Sequence, residues 1–356
     1  MENGHFTRQE IFSQPEAWAA ALKVLDETRR SILELNPVSR FGQIIITGCG
    51  STYYLAMAAA SLTQELTGLP SRAFPASELW LYPHSSYSRA ESPTYKTLLV
   101  AVSRSGETTE TLRACEAFLK DRRGDLLTLS CYDDMPLAKM GKLNIVLPSG
   151  QEQSVAQTRA FSTLYVGTVA MACLWAGQTS LFDSLTHLPE AGRRVLKDYS
   201  PLAAELGGDA SLDRFYWLGS GPRKGLACEL SLKMKEMSLS QSEPFHFMEF
   251  RHGPKSMITP SALTIGLRST VNGQNEAAVL EDVKALGSRV LDIAEVGAQA
   301  ASQGAGREVR FESSLDEAVR NVLYLPVGQI IAFERSISKG LNPDHPANLD
   351  SVVKLA

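Results

Sequence analysis

Apolar residues in this chain fall into two spacings, and the two alternate. Gln43-Ile44-Ile45-Ile46-Thr47 and Leu98-Leu99-Val100-Ala101-Val102 are continuous apolar runs, which suit strands buried on both faces. Residues 126–130 and 144–147 read as two more strands, and Phe74-Pro75-Ala76 as a short one. Between them Tyr53, Met57, Ala60 and Gln64 recur at helical spacing among alanines. Residues 15–35 read as a helix that ends before Asn36-Pro37. Strands alternating with helices imply parallel pairing: an α/β fold with a doubly wound parallel sheet covered on both faces.

The pattern then repeats. Arg214-Phe215-Tyr216-Trp217-Leu218 runs into Gly219-Ser220-Gly221, as the first strand runs into Gly48-Cys49-Gly50. Helical spacing follows over 225–239, and Thr264-Ile265-Gly266-Leu267-Arg268 and residues 308–311 read as later strands. Gly48 and Gly219 are corresponding points. The chain therefore reads as two similar domains, 41–190 and 205–340, joined near 192–201, with a helical segment at 1–40 and a tail at 341–356. Its 356 residues give each domain an ample core.

The copies differ where the chemistry should lie. After residue 102 comes Ser103-Arg104-Ser105-Gly106-Glu107-Thr108, followed by a helix-compatible segment. The three hydroxyls Ser103, Ser105 and Thr108 and the first N–H groups of that helix point at one small volume. Such a volume binds an anion, phosphate above all. The same residues also read as an ordinary helix N-cap with spare hydroxyls. The second copy has Arg268-Ser269-Thr270-Val271-Asn272 there and is expected to have lost the phosphate loop. Neither glycine pair is completed as a dinucleotide fingerprint: Tyr53 and Lys224 stand where the third glycine would allow close packing.

Bulk properties narrow the class. Hydrophobic residues make up 44% and charged residues 21%, with a formal net charge of -4 and no long basic run; this describes a globular protein without the electrostatics for nucleic acid or anionic membrane. Five cysteines, with no pair at CxxC spacing, argue against a disulfide framework and fit a reducing cytoplasm. The polar N-terminus lacks a signal-peptide core. The apolar stretch 161–176 is too short for a membrane span and reads as a buried helix.

Glu229, Lys233 and Glu236 fall at i, i+4 and i+7, hence on one helix face, beside an apolar stripe of Leu226, Leu230, Met234 and Met237. A solvated Glu-Lys-Glu stripe is the simpler account; the nearby Gly-Ser-Gly turn favours a cleft-facing one. Downstream, His246, Glu249 and His252 lack the spacing of a helical metal site. His252, before Gly253-Pro254, suits acid–base work, whereas His246 between Phe245 and Phe247 reads as a packed core histidine.

Taken in order, Gly48-Cys-Gly-Ser-Thr52, Ser103-x-Ser-Gly-Glu-Thr108, Glu229 through Glu236 and His252-Gly-Pro254 resemble tandem sugar isomerase (SIS) domains, with a flavodoxin-like fold. The arrangement is similar to the isomerase half of glucosamine-6-phosphate synthases and to ketose/aldose isomerase–deaminases acting on tagatose 6-phosphate and galactosamine 6-phosphate. With the latter it shares the Glu-Ile-x-x-Gln-Pro-x-Ala-Trp start at 10–18, Arg104, and Phe250-Arg-His-Gly-Pro-Lys-Ser256. The resemblance implies that Gly50, Ser51, Thr52, Ser103, Arg104, Ser105 and Thr108 hold the sugar phosphate. It implies that Cys49, Val155 and Gln157 line the sugar. Glu236 matches the carboxylate that moves a proton between C1 and C2, His252 the histidine assigned to ring opening from the neighbouring subunit, and Lys233 a lysine near the reacting carbons. A homodimer is then the active unit, and neither a metal nor an organic cofactor is called for.

The chain departs from that pattern in places. It begins where the synthases' linker would lie, so no glutamine-hydrolysing domain is expected. Aligned from Asn348-Leu349, the synthases' imine-forming tail lysine falls at Ser351, with Lys354 three residues on; Gln157 and Arg159 replace a serine and a lysine. The expected activity is aldose–ketose isomerisation of a phosphorylated hexose or amino sugar, with or without deamination, through an enediol or enolamine. A deglycase of fructosamine-type 6-phosphates and a non-catalytic sugar-phosphate-binding regulator are the alternatives.

Overall fold

The computed structural model describes residues 2–87, 96–298 and 306–355. They form two compact units: a first of Glu16–Glu152, Arg159–Thr186 and Asp350–Ala356, and a second of Met1–Pro15, Gln153–Thr158 and His187–Leu349. The partition is interleaved, unlike the simple succession 41–190 then 205–340.

The first unit contains β1 (Gln43–Gly48), β2 (Ser71–Pro75), β3 (Thr97–Ser103), β4 (Gly124–Ser130) and β5 (Leu143–Val146) in the order β2-β1-β3-β4-β5. Every pairing is parallel. β1 and β3 are buried at every residue, as their unbroken apolar runs require. The helix Thr109–Lys120 places Ala114, Cys115 and Phe118 on a core that includes Ile45, Leu99, Ala101 and Leu126. The helix Arg159–Trp175 is buried from Ala160 to Trp175. Among the described residues no helix is long and apolar enough to cross a membrane.

The second unit contains β6 (Arg214–Gly219), β7 (Gln241–Phe245), β8 (Ala262–Leu267), β9 (Arg289–Glu295) and β10 (Arg307–Phe311). Its order, β7-β6-β8-β9-β10, is that of the first sheet with each strand replaced by its counterpart. Pairing is again parallel throughout. In both sheets the order reverses at the first strand, where ligands of such folds bind beyond the carboxyl ends.

Three local readings change. The helix expected over 15–35 is two, Gln14–Glu27 and Arg29–Leu35, and a further helix, His5–Phe12, precedes them. Thr28 marks one break, its hydroxyl donating back to Val24 O at 2.8 Å in competition with the helix ladder. The joint expected near 192–201 lies inside one continuous helix, Leu188–Gly208. Gly192 sits on its buried face, and Pro201 is accommodated within it. Two strands, β7 and β9, have no counterpart in the sequence reading.

Candidate active site

In the first unit, β1 and β3 are neighbours, so the loops that follow them are adjacent. Gly48 closes β1 against the helix Ser51–Thr67: a Cβ there would stand 2.5 Å from Thr52 Oγ1. Gly50 has φ 55 and ψ -122, a conformation that a side chain would strain. The Thr52 hydroxyl accepts from Cys49 N at 2.9 Å and donates to Cys49 O at 2.9 Å, fixing the turn. Gly48→Ala is expected to destabilise the fold by about 1–3 kcal/mol through overpacking. Urea unfolding checks this; an unchanged midpoint would refute it. The half-buried Cys49 thiol lies 3.4 Å from Thr111 Oγ1, and burial raises its pKa, so it is a neutral thiol rather than a nucleophile.

After β3 the chain turns on its own hydroxyls. Ser103 Oγ accepts from Gly106 N at 3.1 Å, Ser105 Oγ accepts from Glu107 N at 3.3 Å, and Ser105 Oγ lies 3.4 Å from Thr108 Oγ1. Gly106 takes φ 71. Thr108 precedes the helix in extended conformation and makes no side-chain cap bond, so an ordinary N-cap does not describe this loop. The buried Arg104 guanidinium is 3.5 Å from Glu152 and donates to Ser351 O at 3.0 Å. The tail crosses the same loop: Thr109 N donates to Val353 O at 3.4 Å, and Lys354 pairs with Glu107 at 3.0 Å. Ser51, Thr52, Ser103 and Arg104 are all buried. The structure therefore brings together Cys49, Gly50, Ser51, Thr52, Ser103, Arg104, Ser105 and Thr108.

In the second unit, the helix Pro222–Ser238 starts from Gly219-Ser220-Gly221 as its counterpart starts from Gly48-Cys49-Gly50. Gly221 takes φ 55 and ψ -133, and a Cβ on Gly219 would lie 2.4 Å from Arg223 O. Glu229 and Lys233 are fully buried, with Lys233 Nζ 3.4 Å from Glu229 Oε1. Lys233 also donates to Glu236 Oε2, and the Glu236 side chain keeps 18% exposure. The solvated-stripe account fails because the neighbouring stripe of Leu226, Leu230, Met234 and Met237 is buried too. A buried ammonium thus joins two carboxylates, one enclosed and one reaching the surface of the unit. Such an arrangement orients the outer carboxylate for proton transfer.

Residues 39–174 match the family model described as "SIS domain". That stretch carries the similarity to SIS domains, and it falls almost wholly in the first unit. It is 26% identical over 351 residues to the glutamine–fructose-6-phosphate aminotransferase (isomerizing) of Methanothermobacter thermautotrophicus, a match over 98% of this chain and 57% of that protein. The chain thus spans little over half the length of that curated relative. Its fold is similar to the crystal structure of the tagatose-6-phosphate ketose/aldose isomerase from Escherichia coli, with a TM-score of 0.86 and 23% identity over 96% of this chain and 95% of the other. It is also similar to the C-terminal domain of glucosamine-fructose-6-phosphate aminotransferase from Francisella tularensis, with a TM-score of 0.81 and 21% identity over 96% and 98% of the two chains.

Of the remaining residues singled out in the sequence, Val155 and Gln157 belong to the second unit. Their loop is anchored at both ends of that unit's sequence. The buried Glu10 carboxylate accepts from Gln153 N at 2.6 Å and Ser154 N at 3.3 Å, and Val155 N donates to Asp344 O at 3.0 Å. Asp344 in turn accepts from Thr7 N and Thr7 Oγ1, each at 2.8 Å. Gln157 Oε1 is buried without a hydrogen-bond partner among the described residues. His252 follows the helix Phe247–Phe250 and is exposed. His246, expected as a packed core histidine, is instead exposed just before that helix; partial desolvation, then the nearby Lys224 charge, lowers its pKa. Sequence reasoning missed Glu152 and Asp344, which carry no motif. Glu10 was visible only as the first letter of a shared start.

Proposed function

We propose that this protein is an aldose–ketose isomerase of a hexose 6-phosphate or amino-hexose 6-phosphate, with loss of ammonia where the sugar carries a C2 amine. The observation that carries the reading is Glu236, a mostly buried carboxylate oriented by the fully buried Lys233, in a chain whose other unit holds a hydroxyl-lined loop at a helix N-terminus. The phosphate is held by Ser51, Thr52, Ser103, Ser105 and Thr108 and by the N–H groups that open the helices. Binding energy remote from the reacting carbons then orients the open-chain sugar. Glu236 takes the proton from one of C1 and C2, giving an enediol or enolamine, and returns it to the other; with a C2 amine, protonation at C1 leaves a C2 imine, which water hydrolyses to the ketose carbonyl and ammonia. Cys49, Val155 and Gln157 line the sugar, Arg104 shapes the phosphate loop, and His252 opens the ring from a second copy of the chain, so the working unit is a homodimer in the cytoplasm. The steps draw only on side-chain acids and bases. The curated relative's name, an isomerizing fructose-6-phosphate aminotransferase, supports the same substrate class.

A coupled assay on glucosamine 6-phosphate and galactosamine 6-phosphate, following ammonia and ketose phosphate together, tests the reading. Fructose 6-phosphate and tagatose 6-phosphate cover the reverse direction and the isomerisation without nitrogen. Ketose phosphate formed from an aldose phosphate supports it; binding of all four without turnover would leave a sensor. Ser105→Ala combined with Thr108→Ala is expected to raise KM about 10²–10⁴-fold, each lost bond to a charged phosphate contributing roughly 1.5–3 kcal/mol. An unchanged KM would remove the phosphate from this loop.

A further inference from the structure

The loop after β8 in the second unit has lost the Ser-x-Ser-Gly-Glu-Thr pattern, yet its donors are not idle. In the first sheet Thr47 pairs with Ala101, and in the second Gly219 pairs with Leu267. With Gly48 and Gly219 equivalent, Thr270 stands where Ser105 stands in the first unit. Ser269 Oγ accepts from Val271 N at 3.0 Å and Asn272 N at 3.1 Å, a hydroxyl-stitched turn like that around Ser103. Into this turn projects Glu317, from the short helix Glu317–Arg320 that follows β10.

The carboxylate is ringed by donors. Its Oε1 accepts from Ser269 Oγ at 2.5 Å and from Arg223 Nη1 at 2.8 Å. Its Oε2 accepts from Thr270 N at 2.8 Å, Thr270 Oγ1, Val271 N at 3.4 Å and Arg320 Nη2 at 3.3 Å. Arg223 is 4% exposed and Arg320 6%. The Arg223 Nε finds no hydrogen-bond acceptor among the described residues. Glu276 faces the loop from its other side, accepting from Ser269 N at 2.6 Å. Two hydroxyls, main-chain amides and two buried guanidinium groups around one pair of oxygens make an oxyanion cradle. Burial opposes ionisation of Glu317, but Arg223 and the bonds from Ser269 and Thr270 outweigh it and hold its pKa at about 2.

We propose that the second unit retains an anion-binding loop which the chain fills with its own Glu317 carboxylate, and that a tetrahedral oxyanion such as inorganic phosphate takes that place once the carboxylate is removed. The fold repeat then carries one loop open to an external phosphate and one closed from within. Glu317 ties the segment after β10 to the carboxyl ends of β6 and β8, where a ligand would otherwise sit.

The test compares wild type, Glu317→Ala and Glu317→Gln by thermal unfolding with and without millimolar inorganic phosphate. Glu317→Ala is expected to melt lower in phosphate-free buffer and to gain about 5 °C more than wild type when phosphate is added. Glu317→Gln fills the same volume without charge and is expected to respond as wild type does. Any phosphate response of the first unit is common to all three proteins and cancels in the comparison. Equal shifts in wild type and Glu317→Ala would overturn the proposal. So would failure of Glu317→Ala to fold at every phosphate concentration, because phosphate is expected to replace the missing carboxylate.

Discussion

Glu236→Gln is expected to lower kcat by about 10²–10⁴-fold, the range that one positioned acid–base group contributes, while KM for the phosphosugar stays within a few-fold. The amide has the same shape and still accepts the Lys233 bond, so the fold and the phosphate loop are unperturbed. What it cannot do is take up the C1 or C2 proton. The exchange of that proton with solvent separates this role from others. In deuterated water the wild-type enzyme places deuterium at the carbon that receives the proton, and Glu236→Gln leaves the sugar unlabelled. Full turnover with labelling in the variant would mean that another group is the base. Loss of turnover with an equally large rise in KM would mean that Glu236 binds substrate without moving a proton.

The strands that position the 103–108 loop were legible because they are the central ones. β1 and β3 are buried at every residue and carry unbroken apolar runs, and β4 carries Leu126, Leu127 and Leu129 on its buried part. β7 escaped notice because it is an edge strand, where Gln241, Glu243 and Pro244 are tolerated. β9 escaped because Asp292 interrupts its apolar run. That carboxylate is fully buried and bonded by Arg268 Nε and Nη2, each at 2.8 Å, and by Arg310 at 2.6 Å, partners 24 and 18 residues away that no local pattern reveals.

The candidate site divides the same way. The two glycine turns and the hydroxyl loop could be read because local backbone geometry dictates their residues. The Glu229–Lys233–Glu236 face was located correctly on its helix, but i, i+4 spacing is common to a solvated stripe and to a buried ion cluster. Only packing from both sides distinguishes them. The anchors of the 153–158 loop, Glu10 and Asp344, lie at opposite ends of the chain. Glu317 sits 47 residues from Thr270 in a segment with no motif. Long-range hydrogen bonds to main-chain amides leave almost no trace in a single sequence, because the amide partner can be any residue.

Lys233→Met is expected to be among the most destabilising single changes in the chain, by about 3–5 kcal/mol, because it strands the buried Glu229 charge. Methionine fills the volume of the lysine stem, so the loss is electrostatic rather than a cavity. The companion change separates the two jobs of the lysine. In Glu229→Gln/Lys233→Met no unpaired charge remains buried, and the urea midpoint is expected to return most of the way to wild type, with an unchanged m-value. Turnover is not expected to return with it, since Glu236 still lacks the ammonium that orients it. A stable double variant without activity would assign Lys233 to orienting the base. A stable double variant with wild-type turnover would reduce Lys233 to a counter-ion for Glu229. If the double variant were no more stable than Lys233→Met, the buried pair would not be what the lysine sustains, and the stability would have to come from its bond to Glu236.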